Sequence, residues 1–352
     1  MLIKLLRSIL VGLLIAAILL IFIPSLRPDK LNHLLFRSET EQPYSYNQAV
    51  RRAAPAVVNI YSTSVGSFSS EPRELLTLGS GVIISDQGYI LTNKHVVAQA
   101  GSITIALQDG SFYEAKIIGS DGPTDLAVLK IDAKNLPVIP INLKRTPHVG
   151  DVVLAIGNPY NVGQTITQGI ISATGRIGLS PTRRQNFLQT DASMNKGSSG
   201  GALVNTLGEL VGINTLSFDK SDSGSTPEGL GFAIPSELAV KIMQKLIRDG
   251  RVIRGYIGIS AKELAKIRSS DTAIQQIRGI RVFQITPGSP AEKAGIHVGD
   301  IVIRLNNKPA VSPAEVMDQV AEFRPGSVVP ITVMREGQIL TFNVTVEEYG
   351  EY

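Results

Sequence analysis

Residues 197–205 read Gly-Ser-Ser-Gly-Gly-Ala-Leu-Val-Asn, a glycine-rich turn that leads directly into a short apolar run. Taken alone, a Gly/Ser run of this kind is most often only a flexible turn. The alternative is a catalytic turn, because glycines let the backbone bend sharply enough for two N–H groups to point at one oxyanion. Two other segments of the chain bear on this choice.

Both segments carry a side chain that could act together with a serine. Residues 92–97 read Thr-Asn-Lys-His-Val-Val after an apolar stretch, and residues 124–129 read Thr-Asp-Leu-Ala-Val-Leu. A lone histidine is more often structural, and a lone aspartate before a strand is usually a turn residue. Here His95, Asp125 and Ser199 follow one another in the chain order of the chymotrypsin-like triad. The sequence therefore predicts a nucleophilic serine.

The residue types fit that chemistry. A free serine hydroxyl is a weak nucleophile, so Ser199 needs a base to take its proton. His95 can do this near neutral pH, and Asp125 would hold the imidazole in the required tautomer. The N–H groups of Gly197 and Ser199 are the candidate oxyanion-hole donors, with Ser198 between them in the same turn. Loss of one such donor typically costs about 100–1000-fold in rate.

Short Val/Ile-rich runs, separated by Gly, Asn and Asp, occupy residues 57–213. This spacing predicts an all-β barrel or a sandwich. A helix is predicted from Ser236 to Asp249, and a second unit of about residues 255–348 contains three apolar strands and two helices. One face of the first helix is expected to carry Leu238, Ile242 and Leu246.

Composition excludes several classes of protein. The chain has 352 residues, no cysteine, 4 histidines and a formal net charge of +4. Without cysteine there is no disulfide framework, thiolate zinc site or cysteine nucleophile. The scattered histidines predict no metal site, and the dispersed basic pairs predict no nucleic-acid partner. We expect no cofactor.

The N-terminus predicts a membrane segment. Residues 8–26 carry no charge, and Lys4 and Arg7 precede them. Nineteen uncharged residues can just span a bilayer as a helix. A cleaved signal peptide is the alternative, but no small-x-small cleavage site follows the apolar run. The predicted organisation is an anchor with a cytoplasmic stub (1–26), a linker (27–43), a β-rich domain with the candidate triad (44–252) and a second domain (253–350).

The motifs together resemble the HtrA family of trypsin-like serine proteases, over about residues 45–350. The resemblance implies a mainly β protein, with the triad between two six-stranded β-barrels and a PDZ domain behind them. The family commonly has Asn just before the nucleophile, where this chain has Ser198. Either serine could therefore be proposed as the nucleophile, and the family position immediately before the Gly200-Gly201 pair favours Ser199.

Substrate and ligand sites follow from the same resemblance. The residue six positions before the nucleophile, at the base of the S1 pocket, is Ser193 rather than Asp, which predicts a small aliphatic P1 residue instead of Lys or Arg. Leu216 and Phe218 would line that pocket, although they could equally belong to the barrel core. The PDZ loop would bind a terminal carboxylate through consecutive N–H groups, and the following strand would pair with the ligand. The predicted peptide-binding residues are Tyr256, Ile257, Gly258, Ile259, Met317 and Val320.

The resemblance is strongest to the membrane-anchored stress-sensor branch of the family. It implies a homotrimer on the bacterial inner membrane, with the protease and PDZ domains in the periplasm. Misfolded outer-membrane porin C-termini would bind the PDZ domain, and the activated enzyme would cut a membrane-bound, RseA-like anti-sigma factor. Arg176 and Asp318 match the positions thought to couple the two domains, although both could be ordinary solvated charges.

Two rival hypotheses remain at this stage. The same chemistry would suit a general periplasmic quality-control protease and chaperone, which needs no peptide activator. A protein of another class, a PDZ-based scaffold with an inert protease domain, would bind peptides without cutting them. The presence of His95, Asp125 and Ser199 together argues against the scaffold.

Overall fold

A computed structural model describes residues 2–22, 45–63, 75–176, 186–215, 229–264 and 279–350. The chain forms two compact units, residues 1–47 and residues 48–352. The first unit contains helix α1, Leu2–Phe22. Within the described ranges, no helix has both the length and the apolarity needed to cross a membrane. The predicted linker, residues 27–43, lies outside the described residues.

Helix α2, Asn47–Ala53, and a 3-10 turn, Ala54–Ala56, precede a closed six-stranded barrel. All neighbouring strands are antiparallel, in the order β1-β2-β3-β6-β5-β4. Helix α3, Lys94–Val97, follows the third strand. The strands are β1 Val57–Thr63, β2 Leu75–Ile83, β3 Tyr89–Asn93, β4 Ser102–Ala106, β5 Phe112–Asp121 and β6 Leu126–Ile131.

A second closed barrel follows, in the strand order β10-β11-β12-β9-β8-β7. A 3-10 turn, Pro159–Asn161, follows its first strand. Closure leaves no exposed edge in either barrel and fills each interior with inward-facing apolar side chains. The strands are β7 Val152–Gly157, β8 Thr165–Arg176, β9 Phe187–Thr190, β10 Ala202–Asn205, β11 Leu210–Thr215 and β12 Gly231–Pro235.

Helix α4, Ser236–Asp249, packs against strands of both barrels. Gly250 ends it in a left-handed conformation, with its N–H bound to the Leu246 carbonyl. The predicted bounds of this helix are confirmed. On the predicted apolar face Ile242 and Leu246 are buried and Leu238 is half-buried, and Ala239 is buried beside them. The small Ala239 side chain lets the helix lie close to the barrels.

The C-terminal sheet has the strand order β14-β15-β16-β18-β19, with β17 paired to β16 and a separate β13-β20 ladder. Its core packs against helices α5, Pro290–Lys293, and α6, Pro313–Glu322, and β14 forms one edge of the sheet. The strands are β13 Gly255–Tyr256, β14 Ile259–Glu263, β15 Ile280–Ile285, β16 Ile301–Leu305, β17 Lys308–Pro309, β18 Val328–Arg335, β19 Gln338–Thr345 and β20 Glu347–Glu348.

Candidate active site

The structure brings His95 and Asp125 together as the sequence predicts. His95 Nδ1 lies 2.7 Å from Asp125 Oδ2, and the His95 backbone N–H donates to Asp125 Oδ1 at 3.0 Å. An ionised carboxylate only accepts hydrogen bonds, so it selects the tautomer that carries its proton on Nδ1. Nε2 is then the lone-pair nitrogen. The imidazole is 40% exposed, which leaves it within reach of a substrate.

The turn before β6 fixes Asp125. This residue has φ = 54°, in the left-handed region that few non-glycine residues adopt. Its N–H donates to the Gly122 carbonyl, and its own carbonyl accepts from Lys94 N–H and from Asn93 Nδ2, both at 3.0 Å. The strained backbone is therefore held at its N–H by Gly122 and at its carbonyl by Asn93 and Lys94, the two residues that precede His95. Strain of this kind is typical of functional sites.

Ser199 lies in the second barrel but is bonded to both barrels. Its carbonyl accepts from Ser80 N–H at 2.8 Å, and the next residue, Gly200, donates to the Asn214 carbonyl at 2.9 Å. A side chain at position 200 would lie 2.1 Å from the Ser80 carbonyl, so only glycine fits there. Ser199 is 5% exposed. The three predicted triad residues thus come from both barrels, with His95 and Asp125 on the first and Ser199 on the second.

The backbone of the serine turn has a defined orientation. The Lys196 carbonyl accepts from Tyr160 N–H at 3.0 Å, and the Ser198 carbonyl accepts from Gly201 N–H at 3.1 Å. In a trans peptide the C=O and the following N–H point in opposite directions. The N–H groups of Gly197 and Ser199 therefore point away from those partners. By contrast, Ser198 N–H donates to the Asn195 carbonyl at 2.8 Å, so it is already engaged.

Three buried polar residues that the sequence analysis did not select contact this site. Thr215 Oγ1 donates to Asp125 Oδ2 at 3.5 Å, Asn93 Nδ2 binds the Asp125 carbonyl, and Ser80 contacts the serine turn. Asn93 lies within the stretch that contains His95, and Thr215 lies just beyond the apolar runs at residues 57–213, but their partners are 32 and 90 residues away. Nothing local in the sequence indicates those contacts.

The predicted substrate pocket is described only in part. Ser193 is exposed, and its carbonyl accepts from Thr167 Oγ1 at 2.7 Å. Leu216 and Phe218 lie outside the described residues, so the aliphatic P1 preference stays a prediction. Within the described ranges, no group of three or more His, Asp or Glu side chains could hold a metal ion.

A cavity of about 630 Å³ lies beside the predicted peptide-binding loop. Residues 256–259, Met317 and Val320 line it together with Pro123 and Thr124. Val320 is buried in the core of the C-terminal sheet, whereas Met317 is half-buried and borders the cavity. Asp318 also lines the cavity and is exposed, while the side chain of Arg176 lies outside the described set.

Ion pairs connect the segment before β13 to the first barrel and connect α4 to α6. Arg254 donates two hydrogen bonds to the Asp121 carboxylate, and Lys241 and Lys245 both contact Glu322. Burial alone would raise the pKa of Asp121, but the Arg254 guanidinium and the Thr124 hydrogen bonds outweigh it and lower the pKa. Asp121 is therefore an anion that Arg254 stabilises.

Family comparisons agree with the class that this fold and site define, a trypsin-like serine endopeptidase followed by a PDZ domain. The model of the trypsin-like peptidase domain matches residues 79–213, and the model of the PDZ domain matches residues 255–346. These ranges contain His95, Asp125 and Ser199 in the first and the loop at residues 256–259 in the second.

Relatives that match nearly the whole chain identify the family within this class. The serine endoprotease DegS of Salmonella typhimurium is 65% identical over 99% of both chains. The crystal structure of a serine endoprotease from Yersinia pestis is 61% identical and covers 88% of this chain and 100% of its own, with a TM-score of 0.72. The HtrA-type protease AlgW with a tripeptide is 44% identical, covers 88% and 99%, and has a TM-score of 0.78. This chain belongs to the HtrA family of serine endopeptidases.

Proposed function

We propose that this enzyme is a membrane-anchored stress sensor, which binds the C-termini of misfolded outer-membrane porins and then makes the first cut in an RseA-like anti-sigma factor. The observation that carries the proposal is the shared cavity: the predicted peptide-binding loop, residues 256–259, and Pro123-Thr124 line it together. Thr124 directly precedes Asp125, so a peptide at the loop would lie near the turn that holds the triad.

In the proposed reaction Ser199 is the nucleophile. His95 Nε2 takes the Ser199 hydroxyl proton as Oγ bonds to the scissile carbonyl carbon, and Asp125 stabilises the resulting imidazolium. Gly197 and Ser199 N–H groups donate to the developing oxyanion. His95 then gives its proton to the leaving amine, and water repeats the cycle to release the acyl group. The hydrogen bond between His95 Nδ1 and Asp125 supports these roles.

Peptide sensing would use the PDZ domain. Strand β14 lies at the edge of its sheet, where an extended peptide can add as a further strand. The loop before it would bind the terminal carboxylate, and Met317 would contact an apolar or aromatic last side chain. Structures of the HtrA-type protease AlgW with a tripeptide and with a decapeptide support a peptide ligand of this kind.

Localisation and assembly follow the same proposal. The uncharged segment 8–26, preceded by Lys4 and Arg7, would anchor the chain in the inner membrane, with the catalytic and PDZ domains in the periplasm as a homotrimer. Resistance of the full-length protein to carbonate extraction from membranes would support the anchor. Sedimentation of the purified protein in detergent would measure the assembly, and a monomer would contradict the trimer.

The decisive assay uses the full-length protein in detergent, as native chain and as Ser199→Ala, with the periplasmic domain of an anti-sigma factor as substrate. A peptide with an aromatic-rich, porin-like C-terminus is added or withheld. Cleavage that needs both Ser199 and the peptide supports the sensor. Cleavage that ignores the peptide favours a general quality-control protease, and peptide binding without cleavage by either protein favours a scaffold.

A further inference from the structure

Ser80 is a buried residue of β2 whose hydroxyl bridges two segments of the second barrel. Its side chain and backbone are 0% exposed. Ser80 Oγ donates to the Gly197 carbonyl at 2.8 Å and accepts from Asn158 N–H at 3.0 Å. The partners lie 117 and 78 residues away in the chain. One hydroxyl of the first barrel thus contacts both the serine turn and the loop that follows β7.

Each contact fixes a peptide plane next to Gly197. The bond to the Gly197 carbonyl orients the peptide between Gly197 and Ser198. The bond from Asn158 N–H fixes the start of the turn whose Tyr160 N–H donates to the Lys196 carbonyl at 3.0 Å. That second carbonyl belongs to the peptide that carries Gly197 N–H. The Ser80 hydroxyl therefore holds the peptide that follows Gly197 directly. It holds the peptide that precedes Gly197 through the turn at residues 158–160.

We propose that Ser80 is a positioning residue, whose hydroxyl holds Gly197 N–H in the direction that an oxyanion requires. The inference rests on the catalytic roles proposed for Gly197 and Ser199. Preorganised donors stabilise a transition state because they need no reorientation during the reaction. Ser80 touches no reacting atom, so it acts only through the backbone of residues 196–198.

A purely structural role for Ser80 predicts something different. Its backbone N–H bonds to the Ser199 carbonyl, and its carbonyl accepts from Thr92 Oγ1 at 2.7 Å. The first contact joins the two barrels and the second links β2 to β3 within the first barrel, and both persist in Ser80→Ala. The alanine variant therefore removes the hydroxyl bridge selectively. If the hydroxyl served only packing, its loss would lower stability without lowering the rate of the folded enzyme.

The test measures how fast diisopropyl fluorophosphate inactivates the full-length protein in the presence of the porin-like peptide, as native chain, Ser80→Ala, Ser80→Thr, Ser62→Ala and Ser199→Ala. This reagent forms an Oγ–P bond with loss of fluoride and needs no knowledge of the substrate pocket. Ser62 is the matched control, since it is also a buried serine of the first barrel, with its hydroxyl 3.4 Å from the Val96 carbonyl. Thermal unfolding of each variant establishes that it is folded at the assay temperature.

We expect Ser80→Ala to lose about 10- to 100-fold in inactivation rate, less than the loss of a whole donor. The pH of half-maximal rate should stay at the native value, because His95 and Asp125 keep their contacts, and Ser62→Ala should react near the native rate. A Ser80→Thr variant, which keeps the hydroxyl, should recover most of the rate.

Three results would overturn the inference: a folded Ser80→Ala that reacts at the native rate, a folded Ser80→Thr as slow as the alanine variant, or an equal loss in Ser62→Ala. Failure of the proposed active site gives a different result. In that case the native protein itself does not react, or Ser199→Ala reacts as fast as the native protein.

Discussion

Arg254 donates two hydrogen bonds, of 2.6 and 2.8 Å, to the two oxygens of the Asp121 carboxylate. Asp121 in turn accepts from the N–H and the hydroxyl of Thr124, the residue before Asp125. The Arg254 guanidinium, next to the β13-β20 ladder, is thus two contacts away from the backbone that carries Asp125. This ion pair is a direct physical connection between the PDZ segment and the proposed catalytic turn.

Removing the guanidinium should destabilise the protein strongly. Asp121 is 4% exposed, so Arg254→Ala leaves a buried carboxylate without its counter-ion, at a cost of about 3 kcal/mol. Urea unfolding would measure this, and adding Asp121→Asn should recover part of the loss in a double-mutant cycle. Arg248→Ala is the control, because Arg248 makes a similar pair with Asp249 but is 57% exposed. Equal losses in the two arginine variants would contradict the buried-pair account.

Gly197 should tolerate no side chain. It has φ = 103°, and a Cβ there would lie 2.4 Å from the Asn158 carbonyl oxygen. Gly197→Ala must shift the turn and misdirect its N–H, so we expect about 100-fold or more lost in peptidase rate. Gly299 is the control, with φ = 101° and open space around its Cβ position. Gly299→Ala should cost only backbone strain, and a matching rate loss there would refute the local explanation.

Peptide binding should depend on Gly258 in the same way. This residue has φ = 78°, and a Cβ would lie 2.2 Å from the Ser289 Cβ. Gly258→Ala should weaken binding of a peptide with a free C-terminus about tenfold or more, because loss of one charge-assisted hydrogen bond costs about 1.5–3 kcal/mol. Fluorescence anisotropy with a labelled peptide would measure it.

Two controls accompany that measurement. Gly288 has a similar φ of 74° and nothing near its Cβ position, so Gly288→Ala should bind peptide as the native chain does. A C-terminally amidated peptide should bind weakly to every variant, since it lacks the carboxylate. Equal binding of the free and amidated peptides would show that the loop does not recognise a chain terminus.

Stability of the PDZ sheet should fall in acid because of Asp300. Burial opposes ionisation of this carboxyl, but hydrogen bonds from Arg335 and His297 N–H and the nearby positive charge outweigh it, so the pKa is lowered. A lowered pKa contributes stability that is present above the unfolded-state value of about 3.9 and is lost as the pH falls through the folded-state value.

Hydrogen exchange of the β16 and β18 amides at pH 7 and pH 3 would measure this effect. The native sheet should lose protection between the two pH values. In Asp300→Asn the protection of these amides should already be lower at pH 7, because Arg335 then lacks its counter-ion. Acidification should reduce that protection less than it does in the native protein. The same pH dependence in both proteins would exclude Asp300 as the titrating group.

Much of the fold could be predicted from local patterns. The bounds of α4 followed from the Pro235-Ser236 start and Gly250, and β15 and β16 coincide with their apolar runs. Strands β5 and β8 could not be predicted in this way, because their exposed faces interrupt the apolar pattern. The choice between a sandwich and two barrels could not be made, since closure depends on pairings between strands distant in sequence.

The sequence by itself determined the kind of chemistry. The spacing of residues around His95, Asp125 and Ser199 is a local property, because the glycines or apolar strands of each motif are close neighbours in the chain. Only the tertiary structure decided how these residues are held: the contact of Ser80 with Gly197, of Arg254 with Asp121 and of Thr215 with Asp125. Those pairs are 117, 133 and 90 residues apart. Hydrophobic periodicity reports on neighbours within one element, so contacts across the two barrels become visible only when both barrels have closed.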